Sequence, residues 1–319
     1  MKITVIGCGR WGSCITWYLD HIGQEVSLYG RAESPRMQRF LKERKNDLLE
    51  LPESVRLCTN LGCAAEAEII VISINSQGLR KLMAELGAAV DLSQKTIVLC
   101  MKGIEIATGK RLTEIVMEAD CPPAGVAVWL GPGHVQEFYA GHPNCMVIDS
   151  ADPTLTRKLV DSFTSSLIRF YYGTDLIGSE IGGAAKNVIG IAAGMLDGLN
   201  LSTLKGALMS RGTSEVAALI GALGGKPQSA YGLCHLGDYE ATVFSAHSQN
   251  RRFGEYLVQG KPYDKLAEGY YTVDAMVRLG RKVGVELPIC EAVYSVLYEN
   301  ASVEDCLQKL FARSVRNEF

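Results

Sequence analysis

The chain lacks the features that mark several classes of protein. Its 319 residues contain no apolar run of about 18 residues, the length that a transmembrane helix requires. No block of Lys and Arg indicates nucleic acid or a membrane surface as a partner, and the formal net charge is −3. Internal repeats and low-complexity segments are absent as well. What remains is typical of a soluble globular enzyme, with 47% hydrophobic and 21% charged residues.

Cysteine and histidine are arranged in ways that exclude familiar sites. No C-x-x-C pair occurs among the 10 cysteines, and the 5 histidines lack ligand spacing near any cysteine pair, so we expect no metal. The chain starts with a predicted strand instead of the charged and apolar regions of a secretory signal. We therefore expect a cytoplasmic protein whose cysteines are reduced and mostly buried.

A glycine-rich turn directly follows the apolar run at residues 3–6. It reads Gly7-Cys-Gly9-Arg10-Trp11-Gly12 and leads into a predicted helix over 13–21. In G-x-G-x-x-G turns the glycines permit a tight bend, a close approach of backbone to a pyrophosphate, and close packing of helix on strand. The helix N-terminus adds N–H donors for an anion. The turn therefore predicts dinucleotide binding, with a purely structural βα turn as the alternative.

The first half of the chain alternates short β runs with helical stretches. The predicted strands cover residues 3–7, 25–29, 68–73, 96–101, 127–130, 145–148 and 167–171. Strands separated by helices indicate βαβ units. We therefore predict an α/β, doubly wound, mostly parallel sheet of the Rossmann type over residues 1–177.

The second half of the chain changes to helical periodicity with almost no β runs. Helices are predicted at 180–197, 203–222 and 273–283. We therefore predict an all-α domain that carries substrate and catalytic residues over 178–319. In the first half, the charge-rich segment 32–51 is expected to be a solvated helix with a loop.

The end of the second strand indicates which dinucleotide binds. NAD-specific sites place an acid there for the ribose 2′-OH, whereas NADP sites often place Arg. Here the strand ends at Arg31, with Arg36 and Arg39 near, while Glu33 follows two residues later. Arg31 favours NADPH over NADH, although Glu33 could still serve NADH and Arg31 could be a plain surface charge.

One lysine interrupts the apolar, small-residue helix predicted over 180–197. Gly182, Lys186, Gly190 and Gly194 share one face of this helix. Bare backbone around one ammonium leaves room for a ligand, and a buried lysine can act as an acid or base. The alternative is a lysine that extends from the helix edge to solvent.

Two further groups of residues accompany this lysine. Asp238 and Thr242 are four residues apart, so they share a face if the segment is helical, and the carboxylate would hold Lys186 charged. The polar stretch 248–252 suits a small anion, or is a solvated turn. In the first half, Lys102 and Gly131 end neighbouring strands, where parallel sheets bind ligands.

Taken together, these motifs resemble the NAD(P)-dependent glycerol-3-phosphate dehydrogenases over nearly the whole chain. The pattern comprises G-x-G-x-W-G at 7–12, K-G-I-E at 102–105, G-P at 131–132, E-x-G-G-A-x-K-N at 180–187, R-G at 211–212, G-D at 237–238 with Thr242, and S-x-N-R at 248–251. The resemblance implies interconversion of dihydroxyacetone phosphate and glycerol 3-phosphate with NADPH or NADH, which links glycolysis to phospholipid synthesis. A homodimer is plausible.

The resemblance also implies roles for individual residues. Lys186 would be the acid/base, with a catalytic set completed by Lys102, Asn187, Asp238 and Thr242. The implied substrate contacts are Lys102, Gly131, Gly133, Ser248, Gln249 and Asn250. The implied cofactor contacts are Gly7, Gly9, Arg10, Trp11, Gly12, Arg31, Val135, Gln249 and Glu268.

The chain departs from the family pattern at Gln249, where the family has an Arg that meets the substrate phosphate and the cofactor. Arg251 or Arg252 could supply the missing charge. The substrate could instead be another small phosphate or phosphonate with a hydroxyl–ketone pattern, or the protein could be a nucleotide sensor with poor turnover. His134 is a second departure from the family pattern. It is a candidate substrate contact, and the alternative is a rim or core histidine.

Overall fold

A computed structural model of the chain describes residues 1–315 and residue 317. Its described residues form one eight-stranded sheet, with the order β3-β2-β1-β4-β5-β6-β7-β8. The strands are β1 Lys2–Ile6, β2 Glu25–Tyr29, β3 Arg56–Cys58, β4 Ile69–Ile72, β5 Thr96–Leu99, β6 Gly125–Leu130, β7 Asn144–Ser150 and β8 Ile168–Tyr172. All neighbours pair in parallel except β6 and β7, so the prediction of a mostly parallel, doubly wound sheet is confirmed.

The chain divides into two compact units. The first unit contains Met1–Lys102 and Lys110–Glu180, and the second contains Gly103–Gly109 and the residues from Ile181 onward. The sheet lies in the first unit, with helices α1 Arg10–His21, α2 Pro35–Glu43, α3 Leu79–Ala89, α4 Leu112–Met117, α5 Val135–Tyr139 and α6 Pro153–Phe163. The short segment 103–109 belongs to the second unit although it follows β5, a placement that local sequence patterns do not indicate.

The strand order reverses between β1 and β4, which flank each other at the centre of the sheet. All four residues of β4 are buried, as expected for a strand covered on both faces. Ligands of doubly wound sheets bind at such a reversal, outside the carboxyl ends of the strands. The sequence prediction missed β3, which has only three residues and begins with an exposed arginine.

The core of the first unit contains aromatic side chains on β6, β8 and two helices. The Trp129 ring lies 4.9 Å from the Phe170 ring and 5.8 Å from the Phe163 ring, measured between centroids. The expectation of a solvated helix within 32–51 is only partly right, because Met37 and Phe40 of α2 are fully buried. These two apolar side chains make α2 an amphipathic helix whose buried face joins the hydrophobic core of the first unit.

The second unit is helical, as predicted. Its helices are α7 Leu176–Gly198, which begins in the first unit, α8 Lys205–Ala222, α9 Gln249–Val258, α10 Glu268–Val283, α11 Pro288–Tyr298 and α12 Val303–Phe311. No helix among the described residues is long and apolar enough to cross a membrane. All ten cysteines are free thiols in the described part of the chain, and seven of them are buried.

Candidate active site

The glycine-rich turn is held between the ends of two strands. The Gly7 N–H donates to the Tyr29 carbonyl oxygen at 3.0 Å, and Gly7 has a φ of +118°. A Cβ on Gly7 would lie 2.1 Å from the Ser73 carbonyl oxygen, just beyond β4. A Cβ on Gly12 would lie 1.9 Å from the Gly7 carbonyl oxygen. Both positions therefore exclude any larger residue for reasons internal to the protein.

Gly9 differs from Gly7 and Gly12 because the surrounding protein leaves room for a side chain at this position. It is the N-cap of α1, and a Cβ there would meet only the end of the Arg36 side chain, at 3.8 Å. The first N–H groups of a helix have no partners within the helix, and they carry the positive end of its dipole. This open backbone fits the pyrophosphate of a dinucleotide. Arg10, the first residue of α1, is exposed.

The arginines at positions 31, 36 and 39, just beyond β2, differ in their acidic partners. Arg39 donates to Asp47 at 2.6 Å and to Glu43 at 3.5 Å. Arg31 and Arg36 are exposed, and neither forms an ion pair within the described part of the chain. Two positive side chains beside the glycine turn fit a 2′-phosphate, the feature that distinguishes NADPH from NADH.

The ends of β5 and β6 meet at a common rim in the first unit, as predicted from their parallel pairing. The Lys102 ammonium donates to the Gly131 carbonyl oxygen at 3.0 Å. A Cβ on Gly133 would lie 2.3 Å from the Phe138 ring, and the Trp11 ring centroid lies 6.0 Å from that of Phe138. Phe138 thus connects the glycine turn with this rim.

His134 and Val135 begin the helix at this rim. His134 is the N-cap of α5 and is half-buried, whereas Val135 is 5% exposed and packs in the hydrophobic core. The side chain of Val135 is therefore a core residue, and a cofactor contact at this position would have to use its backbone.

In the second unit, a buried lysine is held by two partners on another segment. The Lys186 ammonium lies 2.8 Å from the Asp238 carboxylate and donates to the Thr242 hydroxyl at 2.8 Å. Thr242 in turn donates to the Asp238 backbone oxygen at 2.7 Å. The sequence prediction that Asp238 and Thr242 face Lys186 together agrees with this geometry. The carboxylate offsets the cost of burying the ammonium and orients it.

The glycine face of α7 does not leave room for a ligand, which corrects the sequence interpretation. A Cβ on Gly190 would lie 2.7 Å from Thr242, and a Cβ on Gly194 would lie 1.8 Å from the Arg251 carbonyl oxygen. Gly182 packs in the same way against His235. The missing side chains instead let residues 235–255 approach α7 closely, and this approach brings Asp238 and Thr242 to Lys186.

Asn187, Asn250 and the start of α10 form a second hydrogen-bonded group, in which Asn187 is buried and Asn250 is half-buried. The Asn250 amide donates to Asn187 Oδ1 at 3.0 Å, and its oxygen accepts from the Gly269 N–H at 2.9 Å. Asn187 is 3% exposed, and its Nδ2 has no hydrogen-bonding partner among the described residues. A buried donor without a partner points to a bound acceptor. Glu268 is the first residue of α10, beside this group.

The polar stretch at 248–252 is occupied by internal contacts. Ser248 caps α9 by accepting from the Arg251 N–H at 3.3 Å. The Gln249 side chain donates to the His247 backbone oxygen at 3.3 Å and accepts from the Tyr263 hydroxyl at 2.7 Å. The Gln249 amide is thus held in place, with one N–H left for another acceptor.

Arg251 does not replace the charge missing at Gln249. Its guanidinium donates to Asp197 at 2.7 Å and to Glu255 at 3.1 Å, and its side chain is 14% exposed. These two carboxylates neutralise Arg251 inside the second unit, so the prediction is contradicted for Arg251 and stays a prediction for Arg252. Arg252 donates to the Tyr256 hydroxyl at 3.2 Å and lies over that ring.

Sequence reasoning missed His235 and Tyr239. The His235 ring is fully buried and donates from Nδ1 to the Gly182 carbonyl oxygen at 2.9 Å, while Nε2 accepts from the Tyr239 hydroxyl at 2.7 Å. Burial lowers the pKa of His235 to about 4, so the ring is neutral near pH 7. The four-residue spacing of His235 and Tyr239, which flank Asp238, was the only signal in the sequence.

Glu180, the first residue of the E-x-G-G-A-x-K-N motif, bonds to protein groups of the first unit. Its carboxylate accepts from Arg111 at 2.7 Å and from the Thr113 N–H and hydroxyl at 2.9 and 2.6 Å. Burial raises the pKa of Glu180, against the lowering effect of Arg111 and Thr113. Glu180 thereby connects α7 to the N-terminus of α4 within the first unit.

Comparisons with known proteins identify the family of this chain. Models of the N-terminus and the C-terminus of NAD-dependent glycerol-3-phosphate dehydrogenase match residues 2–156 and 175–308. The chain belongs to this family. It is 35% identical over its whole length to a glycerol-3-phosphate dehydrogenase [NAD(P)+] of Prosthecochloris aestuarii, which is covered completely. It is 37% identical to one of Chlorobium phaeobacteroides, with 100% of this chain and 99% of the relative covered.

A solved glycerol-3-phosphate dehydrogenase has the same fold. The crystal structure of the enzyme from Coxiella burnetii has a TM-score of 0.90 and 28% identity, covering 98% of this chain and 99% of that chain. Membership of the glycerol-3-phosphate dehydrogenase family makes this chain an NAD(P)-dependent oxidoreductase that acts on a CH–OH group. The roles of its single residues stay predictions that the geometry supports.

Proposed function

We propose that this protein interconverts dihydroxyacetone phosphate and sn-glycerol 3-phosphate with NADPH or NADH. The observation that carries the proposal is the buried Lys186 ammonium, held at 2.8 Å by Asp238 and at 2.8 Å by Thr242 in a chain of this family. Binding a nucleotide alone would not need a buried acid/base group with its own counter-charge. The sensor hypothesis is therefore not favoured, and the relatives named glycerol-3-phosphate dehydrogenase count against a different substrate.

The cofactor supplies the chemistry of hydride transfer when it is bound. During reduction, Lys186 donates a proton from Nζ to the C2 oxygen of dihydroxyacetone phosphate as that carbon receives the hydride. In the reverse direction, the neutral amine accepts the proton of the C2 hydroxyl. Asp238 stabilises the ammonium form of Lys186, and Thr242 directs Nζ by accepting one of its three hydrogens.

Polar groups of the chain would hold the substrate. In the second unit, the unpartnered Nδ2 of Asn187 can donate to a substrate oxygen, and Asn250 holds Asn187 in the orientation that allows this. Gln249 offers its remaining N–H to the substrate phosphate or the cofactor. Lys102, Gly131 and Gly133 stay proposed substrate contacts on the rim of the first unit. Arg31 and Arg36 support a preference for NADPH.

The test is an absorbance assay of NADPH and NADH oxidation with dihydroxyacetone phosphate. We expect turnover with both cofactors, a higher kcat/KM for NADPH, and formation of glycerol 3-phosphate. Arg31→Ala should reduce the NADPH preference and leave kcat/KM for NADH unchanged, because only the 2′-phosphate uses the added charge. Absence of turnover above background at millimolar substrate would contradict the proposed function.

Gln249→Arg tests how the substrate phosphate is bound. We expect KM for dihydroxyacetone phosphate to fall by about tenfold, because a charged hydrogen bond contributes about 1.5–3 kcal/mol against about 1 for a neutral one. Gln259→Arg is the matched control, since it adds the same charge at the exposed C-cap of α9 and should leave KM unchanged. An unchanged KM in Gln249→Arg would show that the phosphate lies elsewhere or already has its charge partner.

Three wider expectations belong to the same proposal. Glycerol 3-phosphate formed by this reaction would serve as a phospholipid precursor. The cytoplasm as the location of the protein and a homodimer as its assembly stay predictions. The oligomeric state is measured directly by light scattering of the eluting protein on size-exclusion chromatography.

A further inference from the structure

We propose that His235 is a positioning residue that sets the place of Asp238 and Thr242 around the Lys186 ammonium. The inference rests on the proposed function of Lys186 as the acid/base. His235 is fully buried and lies outside the motifs that identified the site. We infer that it keeps Asp238 and Thr242 in contact with Lys186.

The segment that carries Asp238 and Thr242 has little regular structure of its own. It consists of a three-residue 3₁₀ turn, Leu236–Asp238, and a five-residue π-helical turn, Glu240–Phe244. Both forms are less stable than an α-helix and occur in short pieces, often at functional sites. The position of this segment therefore depends on contacts with the rest of the second unit.

His235 supplies one such contact at the helix that carries Lys186. Its Nδ1–H donates to the Gly182 carbonyl oxygen at 2.9 Å. In an α-helix, the carbonyl of residue 182 is also the acceptor for the N–H of residue 186. The imidazole is thus bonded to the same oxygen that fixes the backbone of Lys186. The close approach requires Gly182, whose Cβ would lie 3.0 Å from the His235 Cβ.

The other ring nitrogen of His235 holds the residue after Asp238. Nε2 accepts from the hydroxyl of Tyr239, which is fully buried, at 2.7 Å. The His235 imidazole therefore bonds to Gly182 of α7 and to Tyr239, so both residues of the pair that flanks Asp238 are fixed relative to α7. A neutral ring with one donor and one acceptor suits both bonds, and a side chain without this pair of groups does not.

The expected effect lies in the chemical step. A misplacement of about 1 Å from a mutation outside the reacting groups can lower a rate by about 100-fold. We expect His235→Leu to lower kcat for dihydroxyacetone phosphate by about 10- to 100-fold, with little change in KM for NADPH. Tyr239→Phe, which removes one oxygen atom, should lower kcat in the same direction by less. His235→Asn, which keeps a donor near Nδ1, should recover part of the kcat.

The experiment compares these variants in the full chain with Val293→Ala, which removes buried side-chain volume from α11 at a distance in sequence from the segment. We expect Val293→Ala to lower Tm with kcat unchanged, so that loss of stability alone does not mimic the effect. A second readout is the NMR signal of the isotope-labelled Lys186 side chain, which should shift in His235→Leu and Tyr239→Phe and stay in place in Val293→Ala.

The outcomes separate this inference from the proposed function. If the wild-type protein does not reduce dihydroxyacetone phosphate, the proposed function fails, while the Lys186 signal still tests the positioning. Wild-type kcat together with an unmoved Lys186 signal in Tyr239→Phe, or in a folded His235→Leu, would overturn the inference. Equal loss of kcat in Val293→Ala at the same Tm would overturn it as well.

Discussion

Lys186→Met is expected to abolish measurable reduction of dihydroxyacetone phosphate while NADPH binding is retained. General acid catalysis contributes about 10²–10⁴-fold to a rate, and methionine has no proton to give. The glycine turn that we propose binds the cofactor lies in the first unit and does not contain this residue. The measurement combines the absorbance assay with a titration of NADPH fluorescence.

Removing the ammonium also leaves the Asp238 carboxylate buried without its cation, which costs about 3–5 kcal/mol in stability. The double variant Lys186→Met with Asp238→Asn removes both charges, so it should recover Tm and remain inactive. Glu215→Met is the control, because Glu215 is a buried charged residue of the same unit that accepts from the Ile289 and Cys290 N–H groups at 2.8 and 3.0 Å. It should lower Tm and keep kcat. An active Lys186→Met would remove Lys186 from the proposed role.

The second large effect is expected in the glycine turn, where two alanine substitutions should act differently. In Gly12→Ala, the new Cβ meets the Gly7 carbonyl oxygen at 1.9 Å, so the turn itself must move. Overpacking of this kind costs about 1–3 kcal/mol. A loss of 1 kcal/mol lowers Tm by about 2–4 °C in a domain of this size. Gly12→Ala should therefore lower Tm and also lose NADPH binding.

Gly9→Ala should fold normally and still bind NADPH poorly. Its Cβ meets no protein atom closer than 3.8 Å, but it would stand over the N–H groups that we propose bind the pyrophosphate. Loss of one charge-assisted hydrogen bond, about 1.5–3 kcal/mol, corresponds to at least a tenfold higher Kd. Thermal unfolding and fluorescence titration of both variants measure the difference.

The control for both substitutions is Gly87→Ala in α3, where a Cβ meets nothing within 4 Å. Alanine favours a helix over glycine by about 1 kcal/mol, so this variant should keep NADPH binding and raise Tm slightly. If Gly9→Ala lowered Tm as much as Gly12→Ala, the turn would be fixed by local packing alone. Unchanged NADPH affinity in Gly9→Ala would place the pyrophosphate away from α1.

The sequence predicted most of the first unit because its signals are local. The glycine turn and the buried strand β4 each lie within one short stretch of sequence, so residue type and periodicity there are enough to predict their conformation. The three-residue strand β3 escaped prediction because it is too short to show alternation. The burial of Met37 and Phe40 on α2 was hidden among the charged residues around them.

The sequence predicted which residues of the second unit lie around Lys186, but the prediction of how they pack was wrong. Lys186, Asp238 and Thr242 were named from the motif, and they lie together. The glycines of α7 were interpreted as space for a ligand, yet the segment that carries Asp238 fills that space. Glycines on a helix face show that other atoms can approach the helix backbone closely. They do not show whether those atoms belong to a ligand or to another segment of the protein.

By itself, the sequence determined the class of the fold, the position of the dinucleotide turn and the family of the enzyme, because these depend on residue order over short spans. Tertiary structure alone decided which groups stay available. It neutralised Arg251 with Asp197, bonded Asn250 to Asn187 Oδ1 while leaving Asn187 Nδ2 without a partner among the described residues, and bound His235 to Gly182. Each of these contacts joins residues about 50 or more positions apart in the chain, so no local pattern of sequence encodes them.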